Sequence, residues 1–236
     1  HGSAARLAGG EMDLQLAGSF PFDAPMGRLR VSSTGGGRGF VELGPRGVRV
    51  EVARPAVWRL EGELSRDDQG YAGEVGYAVE SLRQLARDLA GFDVPVEGSL
   101  AGTAGVSLAS SQPARIDGTV RELTVVVEGE EAHLERPFQF TVEGSRIELG
   151  STTLVGEHAS LTAGGVREAD GRLRGRVDGQ LPAALLELVW PATRPTGSVI
   201  VHTEIGGTDA QPRFAGTAEV KDGSLLVPGL PAPVSH

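Results

Sequence analysis

Apolar residues alternate with polar ones along most of this chain. Leu14 and Leu16 are set off by polar neighbours, as are Leu29 and Val31, and then Val48, Val50 and Val52. Leu123, Val125 and Val127 form a further set, in which Val126 adds apolar character to the other side. Phe138, Phe140 and Val142 follow, then Ile147 and Leu149, then Leu173 and Val177 across Gly175. Val199, Val201 and Ile205 share a side with Thr203, and Leu225 and Val227 close the series. A period of two is the signature of a strand with one buried face. The opposite sides carry Arg49, Glu51, Gln139, Thr141, Glu148, Arg172, Arg174, Arg176, His202 and Glu204, all solvent-type residues. Turn signals recur at Gly35-Gly36-Gly37, Asp67-Asp68-Gln69-Gly70, Glu128-Gly129, Glu143-Gly144, Gly164-Gly165, Asp170-Gly171 and Asp222-Gly223. Roughly 18 strands are expected, and stacked in one sheet they would run on the order of 85 Å.

Two segments break the alternation. Ser81 is placed to cap a helix over residues 82–90, with Leu82, Leu85, Ala86 and Leu89 on its apolar side and Gly91 after its end. A second helix is predicted from about Pro182 to Trp190, with Pro182 in its first turn and Pro191 stopping it. Apolar stripes at helical spacing usually pack. The expected role of both is to plug or cap an apolar sheet, with a gate over that face as the functional alternative.

These interruptions sit at equivalent places in an internal repeat. Gly98-Ser99-Leu100 recurs as Gly197-Ser198-Val199 about 99 positions later. Gln112-Pro113 recurs as Gln211-Pro212, and Gly118-Thr119 as Gly216-Thr217. Leu181 and the apolar residues after it occupy the place of Leu82 and Leu85. Strands built in series suit an elongated object better than a globule around one pocket.

Composition sharpens this picture. Of 236 residues, 35 are Gly and only 5% are aromatic, so bulk to fill a thick core is scarce. The net charge of −9 argues against a nucleic-acid partner or an anionic membrane surface, both of which need a basic face. Cysteine is absent, which excludes disulfides and thiolate metal sites and suits an oxidising compartment. No apolar run is long enough to span a bilayer as a helix. His1-Gly2-Ser3 reads as a cloning remnant and His236 as a tag residue, and the chain is expected to be a fragment of a longer protein.

Catalytic constellations fail one by one. There is no Gly-x-Ser-x-Gly elbow, and the glycines at 35–39 lack the lysine of a phosphate-binding loop. His133, His158 and His202 fall in separate segments without metal-ligand spacing, and Asp67-Asp68 lacks further calcium ligands at alternate positions. No catalytic residue, metal or cofactor is assigned. The expected fold is all-β: one elongated, curled sheet over residues 1–236, a U-shaped half-pipe or solenoid with two short helices, built from repeats at about 1–100 and 101–236. Scarce bulk favours an open trough over a closed sandwich. The candidate lining of that trough is the apolar set named above from Val48 onward, without Leu173 and Val177.

The C-terminal two thirds resembles the TamB family, the translocation and assembly module subunit of diderm bacteria, and its AsmA-like relatives among bridge-like lipid transfer proteins. The likeness lies in an ordered series of features. It runs from Ala132 to Phe140, through Gly144-Ser145-Arg146-Ile147-Glu148-Leu149 and Gly171-Arg172-Leu173-Arg174-Gly175-Arg176-Val177, to the segment from Leu181 to Leu188. It closes with Gly197-Ser198-Val199, Gly207-Thr208, Gln211-Pro212, Phe214-Ala215-Gly216-Thr217, Lys221-Asp222-Gly223-Ser224-Leu225 and Pro228-Gly229-Leu230-Pro231. The resemblance implies a periplasmic trough with an apolar lumen, anchored in the inner membrane by a segment outside this chain. It implies passage of phospholipid acyl chains between the two membranes, or assembly of outer-membrane proteins with an Omp85-type barrel. It brings no catalytic residues; the lumen side chains act as a class.

The reading of residues leaves other functions open. A structural or adhesive β-solenoid would have a filled core and no conduit. A carbohydrate enzyme or binding module would need an exposed row of aromatics and carboxylates, which Trp58 and Trp190 do not supply. A groove for unfolded outer-membrane strands is a variant of the trough. Exposed edge strands would favour end-to-end self-association.

Overall fold

The computed structural model describes residues 3–7, 10–19, 26–33, 36–68, 70–90, 96–109, 112–127, 129–183, 196–225 and 234–235. The chain is all-β apart from one short helix. In order, the elements are β1 (Ser3–Leu7), β2 (Gly10–Ser19), β3 (Met26–Ser33), β4 (Arg38–Gly44), β5 (Gly47–Arg54), β6 (Trp58–Arg66), β7 (Gly70–Val79), α1 (Leu82–Ala90), β8 (Glu97–Ala109) and β9 (Arg115–Val127). They continue with β10 (Glu130–Leu134), β11 (Phe138–Glu143), β12 (Arg146–Gly156), β13 (Ser160–Arg167), β14 (Leu173–Pro182), β15 (Ser198–Thr208), β16 (Gln211–Lys221), β17 (Ser224–Leu225) and β18 (Val234–Ser235).

Contacts divide the chain into two compact units. The first holds His1–Leu123 and Gln139–Gly144, the second Thr124–Phe138 and Ser145–His236. In the first, β1 to β9 run as a meander in which each strand bonds to the next, and β11 pairs with β9. In the second, the end of β9 leads to β10, then β12, β13, β14, β15 and β16 in sequential order. Leu225 pairs with Val234 in a separate two-stranded sheet, so it is not part of the long apolar face expected for it. The chain leaves β16 through Asp222, whose φ of 52° turns it away. Val227 lies outside the described residues.

The helix forms where its signals stand. The Ser81 hydroxyl accepts a hydrogen bond from the Gln84 amide at 3.2 Å, the N-cap bond that satisfies an otherwise orphan donor. Arg83 bonds Glu97 at 3.1 Å, which ties α1 to the start of β8. The second predicted helix falls largely on residues 184–190, outside the described residues. Its expected first residue is strand instead: Pro182 pairs with Ser198. Among the described residues no helix is long and apolar enough to cross a membrane.

The repeat has a backbone cause. Gly98 and Gly197 have φ of 141° and 82°, values that residues with a Cβ rarely adopt, so each Gly-Ser pair starts a strand from a conformation that needs glycine. Gly118 and Gly216 also have no room for a Cβ. At Gly118 it would lie 2.1 Å from the Phe140 ring, and at Gly216 1.9 Å from the His202 carbonyl oxygen.

Candidate functional site

Strand register turns the alternation into continuous faces. In the first unit Leu29 faces Val41, which faces Val50. Val48 faces Leu64, Val52 faces Leu60, and Val75 sits between Gly62 and Ala104. The sequence-predicted Val48 and Val50 are half-buried and Val52 is buried. Leu64, Val75, Val79, Ala104 and Val120 are buried on neighbouring strands. The polar sides match across strands too: Glu51 lies 3.9 Å from Arg49, and so does Glu63.

Two aromatic rings rest on glycines of this unit. A Cβ on Gly102 would lie 2.4 Å from the Tyr77 hydroxyl oxygen, which itself donates to the Thr119 carbonyl at 3.1 Å. Phe140 covers Gly118, and the two rings stand 6.3 Å apart, tilted by 60°. Burial pushes the Tyr77 phenol above its ordinary pKa, against a smaller opposing pull from Arg121. Phe140 is therefore half-buried packing against a strand, and Val142 is half-buried on the same strand. Leu123, the last residue of the first unit on β9, is also half-buried.

In the second unit Val125 pairs with Ala132, and Val127 with Glu130. Leu134 faces Leu154, Leu154 faces Leu161, and Leu161 faces Gly179, which faces Val201. Ile147 and Leu149 join this face only because β12 carries a β-bulge between Leu149 and Thr152. The extra residue shifts the phase, so Thr152 and Leu154 continue the side that Ile147 and Leu149 began. Gly164-Gly165, expected as a turn, lies inside β13, where Gly165 faces Gly175. Two facing glycines remove the side chains that would fill the middle of the face. The result is an apolar groove of about 320 Å³, lined by Phe138, Ile147, Leu149, Leu173, Val177 and Ile205 among others.

The groove is open. Ile147 is 39% exposed and Leu149 50%, and Phe214, which pairs with Ile205, is 67% exposed. By contrast Val199 is only 1% exposed, between Leu181 and Val220, so it supports the face and is shielded from any ligand. Thr152 lies in the groove wall with its hydroxyl buried and without a hydrogen-bond partner among the described residues. Thr152→Val should remove that unmet polar group and raise stability by about 1 kcal/mol. Urea denaturation of the two proteins measures the shift.

The other side of this unit is a lattice of charge. Glu168 bonds Arg146 at 3.2 Å and also Arg174, and Arg146 lies 2.6 Å from Glu148. Arg176 and His202 converge on Asp178, the imidazole Nδ1 at 2.9 Å. Hydrogen bonds from Arg174 hold the Glu168 carboxyl below its usual range, and those from Arg176 and then His202 do the same for Asp178. Arg167, which pairs with Ile147 and Leu173 on the groove side, donates to Asp209 at 2.6 Å and to the Ser145 carbonyl at 2.7 Å, and this pairing lowers the Asp209 pKa. Each of these carboxylates is partnered by arginine, Glu168 and Asp178 half-buried and Asp209 exposed, so the pairs order the surface.

The predicted lining residues thus divide. Phe138, Ile147, Leu149 and Ile205 meet in the groove, and Val201 lies on the same face beside Gly179. Val48, Val50, Val52, Phe140 and Val142 belong to the first unit. Sequence reasoning missed Leu154, Leu161 and Phe214. Gly150-Ser151 in the middle of β12 is the signal that could have revealed the phase shift. Compared with known protein families, curated proteins and solved structures, the chain matches none.

Proposed function

We propose that this chain supplies an apolar sheet face along which phospholipid acyl chains travel, as a segment of a TamB-like periplasmic protein. One observation carries the reading: the apolar face of the second unit is left open around the Gly165–Gly175 groove, with Leu149 half exposed. A filled solenoid core would bury these side chains. Each methylene taken from water into such a surface gains about 0.8 kcal/mol. A chain spread over many shallow contacts is held by their sum yet trapped by none. The charged opposite side stays in water. The full-length protein would be fixed to the inner membrane and work with an Omp85-type barrel.

The test is acyl-chain capture by variants of exposed groove residues. Leu149→Asp should weaken displacement-measured binding of a fluorescent fatty acid by roughly tenfold or more, because the chain would have to desolvate a carboxylate. Stability should change by about 0.5 kcal/mol or less, since the residue is half exposed. Unchanged binding by the folded variant would refute the reading and favour a structural or adhesive role.

A further inference from the structure

Among the described residues, the long sheet ends on β16. This strand pairs with β15 along its whole length and has no described strand on its outer side. Every residue of the 11-residue strand except Val220 is exposed, and Phe214 is 67% exposed. Such an edge offers a row of main-chain donors and acceptors to another strand.

The hairpin fixes which groups those are. Thr208 and Gln211 close a two-residue loop, so they form a hydrogen-bonded pair, and the alternation of an antiparallel ladder follows from there. Gly216 falls in a non-hydrogen-bonded pair with Thr203, and a Cβ on it would lie 2.8 Å from the Thr203 Cα, the close approach of such pairs. The amides and carbonyls of Phe214, Gly216, Ala218 and Val220 therefore point to the open side. Pro212 belongs to the same set and has only a carbonyl to offer.

The strand is complementary to its own reverse. Turned antiparallel about Gly216, Phe214 falls opposite Ala218 of a second copy, and Arg213 opposite its Glu219. Arg213 and Glu219 are exposed, and among the described residues neither is in an ion pair. In this register they form a non-hydrogen-bonded pair, where side chains lie closest, and the two-fold axis makes the pair twice. A slip of two residues sets Arg213 opposite Lys221 or Thr217. A slip of one sets Phe214 opposite Glu219 or Thr217, apolar side against polar.

We infer that β16 is the interface of a symmetric dimer, in which two copies of this chain join their second units edge to edge, antiparallel about Gly216. Phe214 and Ala218 stay on one side in both copies, so the apolar face runs on across the junction. The inference stands apart from the lipid reading, because the ladder and the ion pairs form with or without an acyl chain. The interface is small, so association is weak and concentration-dependent.

Sedimentation equilibrium over a concentration series at low salt, where screening is weak, reads the association directly. The wild type should pass reversibly from one copy to two and stop there. Glu219→Arg and Arg213→Glu should each weaken dimerisation by roughly tenfold or more, because each sets like charges opposite one another twice. An equimolar mixture of the two variants should regain wild-type association, since every facing pair is then of opposite sign. Both positions are exposed, so both variants should keep wild-type urea midpoints. A wild type that stays single up to roughly 1 mM, single variants that associate as the wild type does, or a mixture no tighter than its components would overturn the interface. Growth past two copies would show head-to-tail pairing and overturn the symmetric register.

Discussion

Val199→Asp is expected to cost about 4 kcal/mol of stability, the largest effect of any single change considered. Val199 sits on β15 between Leu181 and Val220, only 1% exposed, beside Ala183, which is wholly buried. The Ala183 amide donates to the Gly197 carbonyl at 2.9 Å, which continues the ladder between β14 and β15 at this end. A carboxylate there would be taken out of water at a position only 1% exposed. It would ionise only by opening the ends of β14 and β15, or stay protonated with an unmet hydroxyl. Urea denaturation should show a much lower midpoint at an unchanged slope. A loss under about 1 kcal/mol would mean that this strand end is wetter than its burial implies. The contrast with Leu149→Asp is the informative part. The two positions lie on the same apolar face, yet one should strongly destabilise the protein and the other should change binding with stability retained.

Gly118→Val is expected to cost about 3 kcal/mol, through a different cause. A Cβ at this position would lie 2.1 Å from Cζ of Phe140 and 2.2 Å from Cε1. The ring has to lift from β9, losing its contact with Tyr77 and exposing apolar area that the strand now covers. Tyr77, bonded to the Thr119 carbonyl at 3.1 Å, would lose a neighbour that holds its ring over Gly102. A double-mutant cycle separates this from a generic loss of glycine. With Phe140→Ala in the background, Gly118→Val should cost roughly 1–2 kcal/mol less, because the clash is gone. Additive losses in chemical denaturation would show that the ring and the glycine are not coupled.

Much of the architecture was legible because strand alternation is a local property. The sets at Val48, Val50 and Val52 and at Val199, Val201 and Ile205 each fall on one strand, and antiparallel register then aligns them with like neighbours. Ser81 signalled its helix because N-capping is also local. What escaped the reading depends on partners distant in sequence. Gly118 and Phe140 meet only through the pairing of β9 with β11. Gly164-Gly165 looked like a turn, and only the opposing Gly175 shows that these glycines hollow out a strand face. The bulge after Leu149 reversed the alternation without an obvious composition cue beyond Gly150-Ser151. Pro182 read as the start of a helix because apolar residues follow it, while its place in the ladder is set by Ser198. Val199 itself looked the same as Val201 in sequence, and only three-dimensional burial distinguishes a support from a contact surface.

Mass spectrometry of an organic extract of the purified, folded protein probes the open apolar face most directly. The account predicts acyl lipids in stoichiometric amounts from the wild type and far less from Leu149→Asp. An extract of folded wild-type protein free of acyl lipid, together with no uptake of added lipid, would contradict it.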